Sequence, residues 1–335
     1  MAETVTGRAH PALPSAARRV LRRVVPCILL AAVLVLCLVP DDSRAVAPGT
    51  AEFIFFDVGQ GDASLIRTES GCVLIDTGTN LSEDTLAASL EWLGVRRIDC
   101  LILTHAHEDH IGGADRILRD FDVRAVIARD TGETDAATRR LWDAVRASGA
   151  EQVTPAGITT YTVGGLCLDV AVPFAEPQSA GNDNSLIVRV RFGETTFLYM
   201  GDAEAATEQV LLARLADGNF LDCDGLKLGH HGSDSSSGSA FLRAVSPRYA
   251  VASAGGGNSF GHPHARVLAD LEAAGLHLPA DGRERRRRAG LGRQNAARRT
   301  VTCTEPSRSC HFSYMISASF VSCSALNAKK NKTKL

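Results

Sequence analysis

Leu101-Ile102-Leu103-Thr104-His105-Ala106-His107-Glu108-Asp109-His110-Ile111-Gly112-Gly113 is an apolar run that stops abruptly at a group of metal-ligand side chains. A buried strand delivering ligands is the simplest reading. His105 and His107 are two apart, so in an extended segment they project from the same side. Asp109 and His110 follow once the chain has begun to turn, and so can point at a second position a few ångströms from the first. Gly112 and Gly113 then allow a close backbone approach as a helix begins. Three imidazoles and two carboxylates within six residues suit a metal-binding loop far better than a solvated polar turn.

Outward from that loop, polar clusters recur where apolar strands end. Phe197-Leu198-Tyr199-Met200 runs into Gly201-Asp202, a carboxylate placed to bridge two cations, and Leu226-Lys227-Leu228 runs into His230-His231-Gly232-Ser233. Asn258 and His262 lie in a Gly-rich loop after Val251-Ala252-Ser253. The ligand types are imidazole and carboxylate without thiolate, which suits zinc first, with manganese or iron as alternatives. The expected assignment is two divalent metals. His105 and His107 hold the first, Asp109, His110 and one of His230 and His231 the second, and Asp202 lies between them. Of the adjacent pair, His230 is taken as the ligand and His231 as the catalytic partner beside Asp109, with the reverse order open. Two such cations lower the pKa of a bridging water to roughly 7, and Asp109 can orient that hydroxide and pass on a proton. Ser233, Asn182, Asn258 and His262 are the expected substrate contacts.

Short strands separated by Gly-rich turns begin near residue 51, and two groups of strands are each followed by amphipathic helices. That rhythm predicts an α/β (α+β) four-layer αββα sandwich with two sheets inside. The 335 residues can bury a sizeable core, and a formal net charge of -2 gives no sign of a basic nucleic-acid grip. Nine cysteines show no C-x-x-C spacing, which excludes a thiolate metal site.

Three segments follow. Residues 1–47 carry Arg18, Arg19, Arg22 and Arg23 before an apolar run at 24–39, the pattern of a signal peptide or single membrane anchor that would export the rest. Pro48 directly after the small-residue Ala45-Val46-Ala47 site favours retention as a tether. Residues 48–275 are expected to form the globular domain that carries these clusters. Residues 276–335 are an atypical basic and Ser-rich tail, read as disordered or as translated out of frame, because Arg codons of the CGT type become Val codons one base along. No protein partner is predicted.

The H-x-H-x-D-H pattern of residues 105–110 resembles the signature of the metallo-β-lactamase fold. Together with residues 56–62, Asp76-Thr77-Gly78, residues 182–186, Gly201-Asp202, residues 230–233 and Gly261-His262-Pro263, it is similar to the C-terminal hydrolase domain of ComEC-type DNA-internalisation competence proteins. The resemblance covers about residues 51–275. It implies two metals and phosphodiester hydrolysis, proposed in that family to act on the non-transported DNA strand. Two departures stand out. The third histidine that the fold gives its first metal is absent from the corresponding residues 182–185, and the multi-helix channel of full-length competence proteins has no counterpart. The expectation is a phosphodiesterase or nuclease working through a metal-bridging hydroxide. The alternatives are hydrolysis of esters, lactones or β-lactams, and a non-catalytic exported metal- or ligand-binding module. No aromatic and basic groove for single strands is apparent.

Overall fold

The computed structural model describes residues 45–178, 181–215 and 220–276, together with the backbone of three strands at 299–304, 310–314 and 320–322. The chain divides into units Met1–Ala45 and Val46–Leu335, and every described residue except Ala45 belongs to the second. The apolar run at 24–39 lies outside the described residues. Among those that are described, no helix is long and apolar enough to cross a membrane.

Among the described residues the strands are β1 Thr50–Phe55, β2 Ser64–Thr68, β3 Cys72–Ile75, β4 Arg97–Ile98, β5 Cys100–Ile102, β6 Asp122–Val123, β7 Ala125–Ile127, β8 Glu151–Val153, β9 Ile158–Val163, β10 Leu166–Ala171, β11 Ile187–Phe192, β12 Thr195–Tyr199, β13 Gly225–Lys227, β14 Tyr249–Ser253, β15 Arg299–Thr304, β16 Cys310–Tyr314 and β17 Phe320–Ser322. One sheet has the order β16-β15-β1-β2-β3-β5-β7-β8, the other β17-β14-β13-β12-β11-β10-β9, while β4 and β6 form a small parallel pair.

Period-two alternation decides what each strand face meets. On β1, Phe53 and Phe55 point into the space between the sheets, where Phe53 stacks on Phe197 of β12 with centroids 5.4 Å apart. Ile54, between them, points the other way and joins the core under the outer helices. Those helices are α1 Glu83–Trp92, α2 Glu108–Ile111, α3 Ala114–Asp120 and α4 Ala136–Ser148. They cover the first sheet with Leu86, Leu90, Ile117, Leu141 and Val145. On the opposite side α5 Ala205–Leu215, α6 Ser239–Val245 and α7 Ala265–Ala273 lay Leu211, Phe241, Leu242, Val267 and Leu271 on the second sheet. Three apolar layers therefore separate four structural layers, the αββα sandwich expected. Each fully buried Leu, Val or Phe contributes roughly 1.5–3 kcal/mol, so the frame rests on these layers.

Strand direction then places the polar clusters. β3, β5 and β7 are mutually parallel in one sheet, and β12, β13 and β14 in the other. Parallel neighbours end on one edge, so the loops after β3 and β5 share a rim, as do those after β12, β13 and β14.

Ser82 does not cap α1 with its side chain, because its hydroxyl bonds back to the Thr79 carbonyl at 2.8 Å. The edge strand β9, alternately exposed and half-buried, lacks the apolar run that marks the others. Within 276–335, the stretch read as disordered or out of frame, β15 pairs antiparallel with β1 and β17 with β14. The β-branched run Thr300-Val301-Thr302 favours an extended backbone.

α4 opens on a side-chain cap. Asp135 caps it, the Oδ1 accepting from the amides of Ala137 at 2.7 Å and Thr138 at 3.1 Å. Partial burial opposes the Asp135 charge, but the Thr138 hydroxyl and these amides outweigh it and lower the pKa from 3.8. Asp135→Ala should therefore cost about 1 kcal/mol in urea unfolding near neutral pH. The advantage of the parent should persist above pH 3.8 and shrink as pH falls through the lower folded-state value, when the carboxylate takes up its proton.

Candidate metal centre

The rim of the first sheet supplies the histidine loop. β5 ends at Ile102, the chain passes through buried Thr104 and His105, and α2 opens at Glu108. Asp76, just past β3 with a left-handed φ of 57°, fixes this loop from beneath. Its Oδ1 accepts from the Thr104 amide at 2.8 Å, and its Oδ2 accepts from the Thr104 hydroxyl at 2.8 Å. The same Oδ2 lies 2.8 Å from His110 Nδ1, which turns Nε2 of that ring outward. Gly61, at φ 154°, lets the 57–62 loop lie against the histidine loop, where a Cβ would come within 2.5 Å of the Asp109 carbonyl oxygen.

The rim of the second sheet supplies the other half. Gly201, at φ 53°, turns the chain after β12 where a side chain would strike Ser185 and Thr104, and Asp202 emerges beyond it. The two Asp202 oxygens face different rings, with Oδ1 3.1 Å from His110 Nε2 and Oδ2 3.3 Å from His231 Nε2. His231 Nε2 also lies 3.1 Å from Asp109 Oδ2. His105 packs beside His110 with ring centroids 4.2 Å apart, and His107 beside His105 at 4.5 Å.

The structure thus brings His105, His107, Asp109, His110, Asp202 and His231 together and leaves His230 outside. That corrects the expectation of His230 as the ligand. Both residues of the pair sit at left-handed φ, 44° and 54°, so their side chains diverge. His230 Nδ1 turns to Glu204 Oε1 at 2.9 Å and Ser235 Oγ at 3.1 Å. Of the expected substrate contacts, Asn182 donates to Glu204 Oε1 at 3.0 Å, and Ser233 Oγ lies 2.9 Å from Ser235 Oγ, so both border His230. His262 stacks on His231 with centroids 6.1 Å apart. Asn258 is a correction: its amide group donates to the Gly255 and His262 carbonyls and accepts from the Phe260 and His262 amides, so it organises its own loop.

Four residues went unassigned in the sequence reading. Asp76 and Asp62 lie behind the histidines, Lys227 pairs with Asp62 at 2.5 Å, and Glu204 holds His230. The signal for Lys227 is a lone charge between Leu226 and Leu228, since a cation in a buried strand needs an anion.

Burial sets the electrostatics. It opposes an imidazolium at His110 and His231, yet Asp202 with Asp76 for the one, and Asp202 with Asp109 for the other, hold both well above the ordinary histidine value. Burial also opposes charge on Asp202, but His110 and His231 hold it well below the carboxylate range. His105 is pushed down by burial and by His110 beside it. His262 falls to about 4 through burial and then the neighbouring histidines His231, His230 and His264.

Positive charge among these carboxylates is what a divalent cation supplies, and the donor set fits one. Ligand atoms of Asp62, His110, Asp202 and His231 lie within 4.8 Å of one another. His105 Nε2, His110 Nε2 and Asp202 Oδ1 are buried without a hydrogen bond, the 3.1 Å approach of the last two lacking hydrogen-bond geometry. A buried polar atom left so costs about 1–3 kcal/mol, and a cation satisfies imidazole nitrogen and carboxylate oxygen together.

The metallo-beta-lactamase superfamily model matches residues 56–256. Among characterised sequences, the chain is 31% identical over 247 residues to ComE operon protein 3 of Bacillus subtilis, covering 68% of this chain and 31% of that one. It is 32% identical over 251 residues to competence protein ComA of Neisseria gonorrhoeae, covering 75% of this chain and 34% of that one. The chain therefore spans about a third of the length of these relatives. Among solved structures, the metallo-beta-lactamase fold protein YhfI from Bacillus subtilis is similar over 53% of this chain and 70% of that one, with a TM-score of 0.38 and 13% identity.

Replacing Asp76 tests the centre from beneath. Asp76→Ala strips partners from the Thr104 amide and hydroxyl and from His110 Nδ1. Chemical denaturation should show a loss of roughly 3–5 kcal/mol. Protein that still folds should bind a divalent metal about 10–100-fold more weakly by chelator competition.

Proposed function

Since this chain belongs to the metallo-beta-lactamase superfamily, we propose that it is a metal-dependent hydrolase of phosphodiesters, DNA among its substrates, acting outside the cytoplasm with zinc as the metal. His105, His107, His110, Asp202 and His231 would hold two divalent ions, with Asp109 at the mouth. When bound, such ions supply Lewis acidity and lower the pKa of water. Asp109 is the residue that moves the proton. Burial opposes its charge, but the hydrogen bond from His231 and the charge of His110 hold it ionised below the carboxylate range. Its side chain stays 30% exposed, so it can accept a proton from attacking water and return it to the leaving oxygen.

The observation that carries the phosphodiester reading is the rim beside this carboxylate. His230, Asn182, Ser233 and Ser235 gather around Glu204. With His230 Nδ1 turned to Glu204, the other ring nitrogen is left for a phosphate oxygen. Beside it, His262 lies 5.5 Å from His230 between ring centroids, and Phe260, 62% exposed, stacks on His262 at 5.6 Å and offers an apolar face to a nucleobase. The names of the two relatives, a ComE operon protein and a competence protein, agree with DNA as substrate. The basic residues Arg18 to Arg23 before the run at 24–39 support export, with that run as the membrane tether.

Turnover of bis(p-nitrophenyl) phosphate, linear DNA and a chromogenic cephalosporin by the metal-loaded chain tests this reading. Phosphodiester turnover should vanish on chelation. Asp109→Ala should lower kcat by about 10²–10⁴-fold, with metal content measured alongside. Cephalosporin turnover without phosphodiester turnover would replace the reading with the lactamase one.

A further inference from the structure

Behind His231 lies a pair of opposite charges with almost no solvent. Alternation along β13 sends Leu226 and the following Leu228 into the layer under the outer helices, so Lys227 points the other way, toward the first sheet. Its side chain is 2% exposed, and Nζ lies 2.5 Å from Asp62 Oδ2 and 2.9 Å from the Leu228 carbonyl oxygen. Asp62, 6% exposed, belongs to the loop after β1 of the other sheet, so the pair joins the two sheets at the rim. Its Oδ1 is buried without a hydrogen bond and faces His231 Nδ1 at 3.4 Å. That nitrogen also lies 2.9 Å from the Ser253 carbonyl oxygen.

The two nitrogens of His231 thus face different groups. Nδ1 meets Asp62 and Ser253, whereas Nε2 meets Asp109 and Asp202. A histidine that ligates through one nitrogen is oriented by an acceptor at the other, and Asp76 stands in the same relation to His110. Asp62 Oδ2 is taken by the Lys227 ammonium, and Oδ1 faces the His231 nitrogen that points away from Asp109 and Asp202.

We propose that Lys227 and Asp62 are a positioning pair that aims His231 Nε2 into the metal centre, with Asp62 acting from behind the ligand set and not as a ligand. Lys227 anchors the carboxylate, the Ser253 carbonyl accepts the Nδ1 hydrogen, the Asp62 charge beside it favours that hydrogen on Nδ1 and leaves Nε2 to ligate, and the pair carries this arrangement across the gap between the sheets. The inference rests on the metal-binding part of the function proposed above and is independent of the substrate.

Cobalt(II) binding to the full chain tests it, read as affinity by chelator competition and as the visible spectrum at saturation. Asp62→Asn keeps the shape but removes the charge that faces Nδ1. Lys227→Met leaves a buried carboxylate unpaired and is expected to lower the thermal midpoint. The double variant Lys227→Met/Asp62→Asn removes both charges, so its metal-free thermal midpoint should return toward that of the parent. Both the Asn variant and the double variant should bind cobalt about 10–100-fold more weakly, while the saturated spectrum keeps the band positions and intensities of the parent. If Lys227→Met fails to fold, the double variant decides.

Parental affinity in the double variant would overturn the inference, since the pair would then serve folding alone. A saturated spectrum showing a changed coordination number would also overturn it, by making Asp62 a ligand. A parent that takes up no cobalt would overturn it together with the metal-binding reading. Metal uptake with no phosphodiester turnover would overturn the substrate reading and leave this inference standing.

Discussion

Asp202 is buried between two histidines that come from different sheets, and the rest of the centre is arranged around that contact. One oxygen faces His110 of the first half and the other His231 of the second. A lone carboxylate at 2% exposure would be expelled or protonated. Here it stands in a row of facing carboxylates and imidazoles, Asp76, His110, Asp202, His231 and Asp109. Each sheet contributes members, so the row exists only when both rims meet. The apolar layers between and outside the sheets bring them together, and the polar row sets their register.

Most of this was legible where strand and ligand coincide. An apolar run that ends in imidazoles or carboxylates states both its secondary structure and its chemistry, which is why residues 101–113 and 197–202 could be read directly. The αββα order followed from two groups of strands with helices after each. What could not be read depends on backbone torsion or on distance across the fold. Nothing in the adjacent letters of His230 and His231 tells which ring turns inward, because the left-handed φ of both residues decides it. Asp62 looks like a loop residue until Lys227, on the other sheet, is found 2.5 Å away. Asn258 has the chemistry of a substrate contact and spends it on its own turn. The strands at 299–304, 310–314 and 320–322 fall in a tail whose composition masks them.

The site's two sides have different characters. The side toward the sheets is dry, and its groups are tied to one another by Asp76, Asp62 and Lys227. The side toward solvent carries His230, Glu204, Ser233, Ser235 and Asn182 in a looser hydrogen-bonded group, with the exposed Phe260 stacked on His262 beside it. The candidate metal ligands sit on the first side. Whatever distinguishes one substrate from another has to be written on the second, where side chains can change without unpairing a buried charge.

The left-handed torsions of His230 and His231 also bear on what holds the site in shape. Such torsions cost about 1–3 kcal/mol each outside glycine, so a free peptide of this sequence would relax out of them. They are held by the surrounding frame, through the bond from the His230 amide to the Gly201 carbonyl at 3.2 Å and the contact of Gly232 with Pro263. The candidate ligands are therefore held by a sandwich that has its own apolar cores. A frame of this kind does not depend on an ion for its core, unlike the small zinc domains that collapse around their metal.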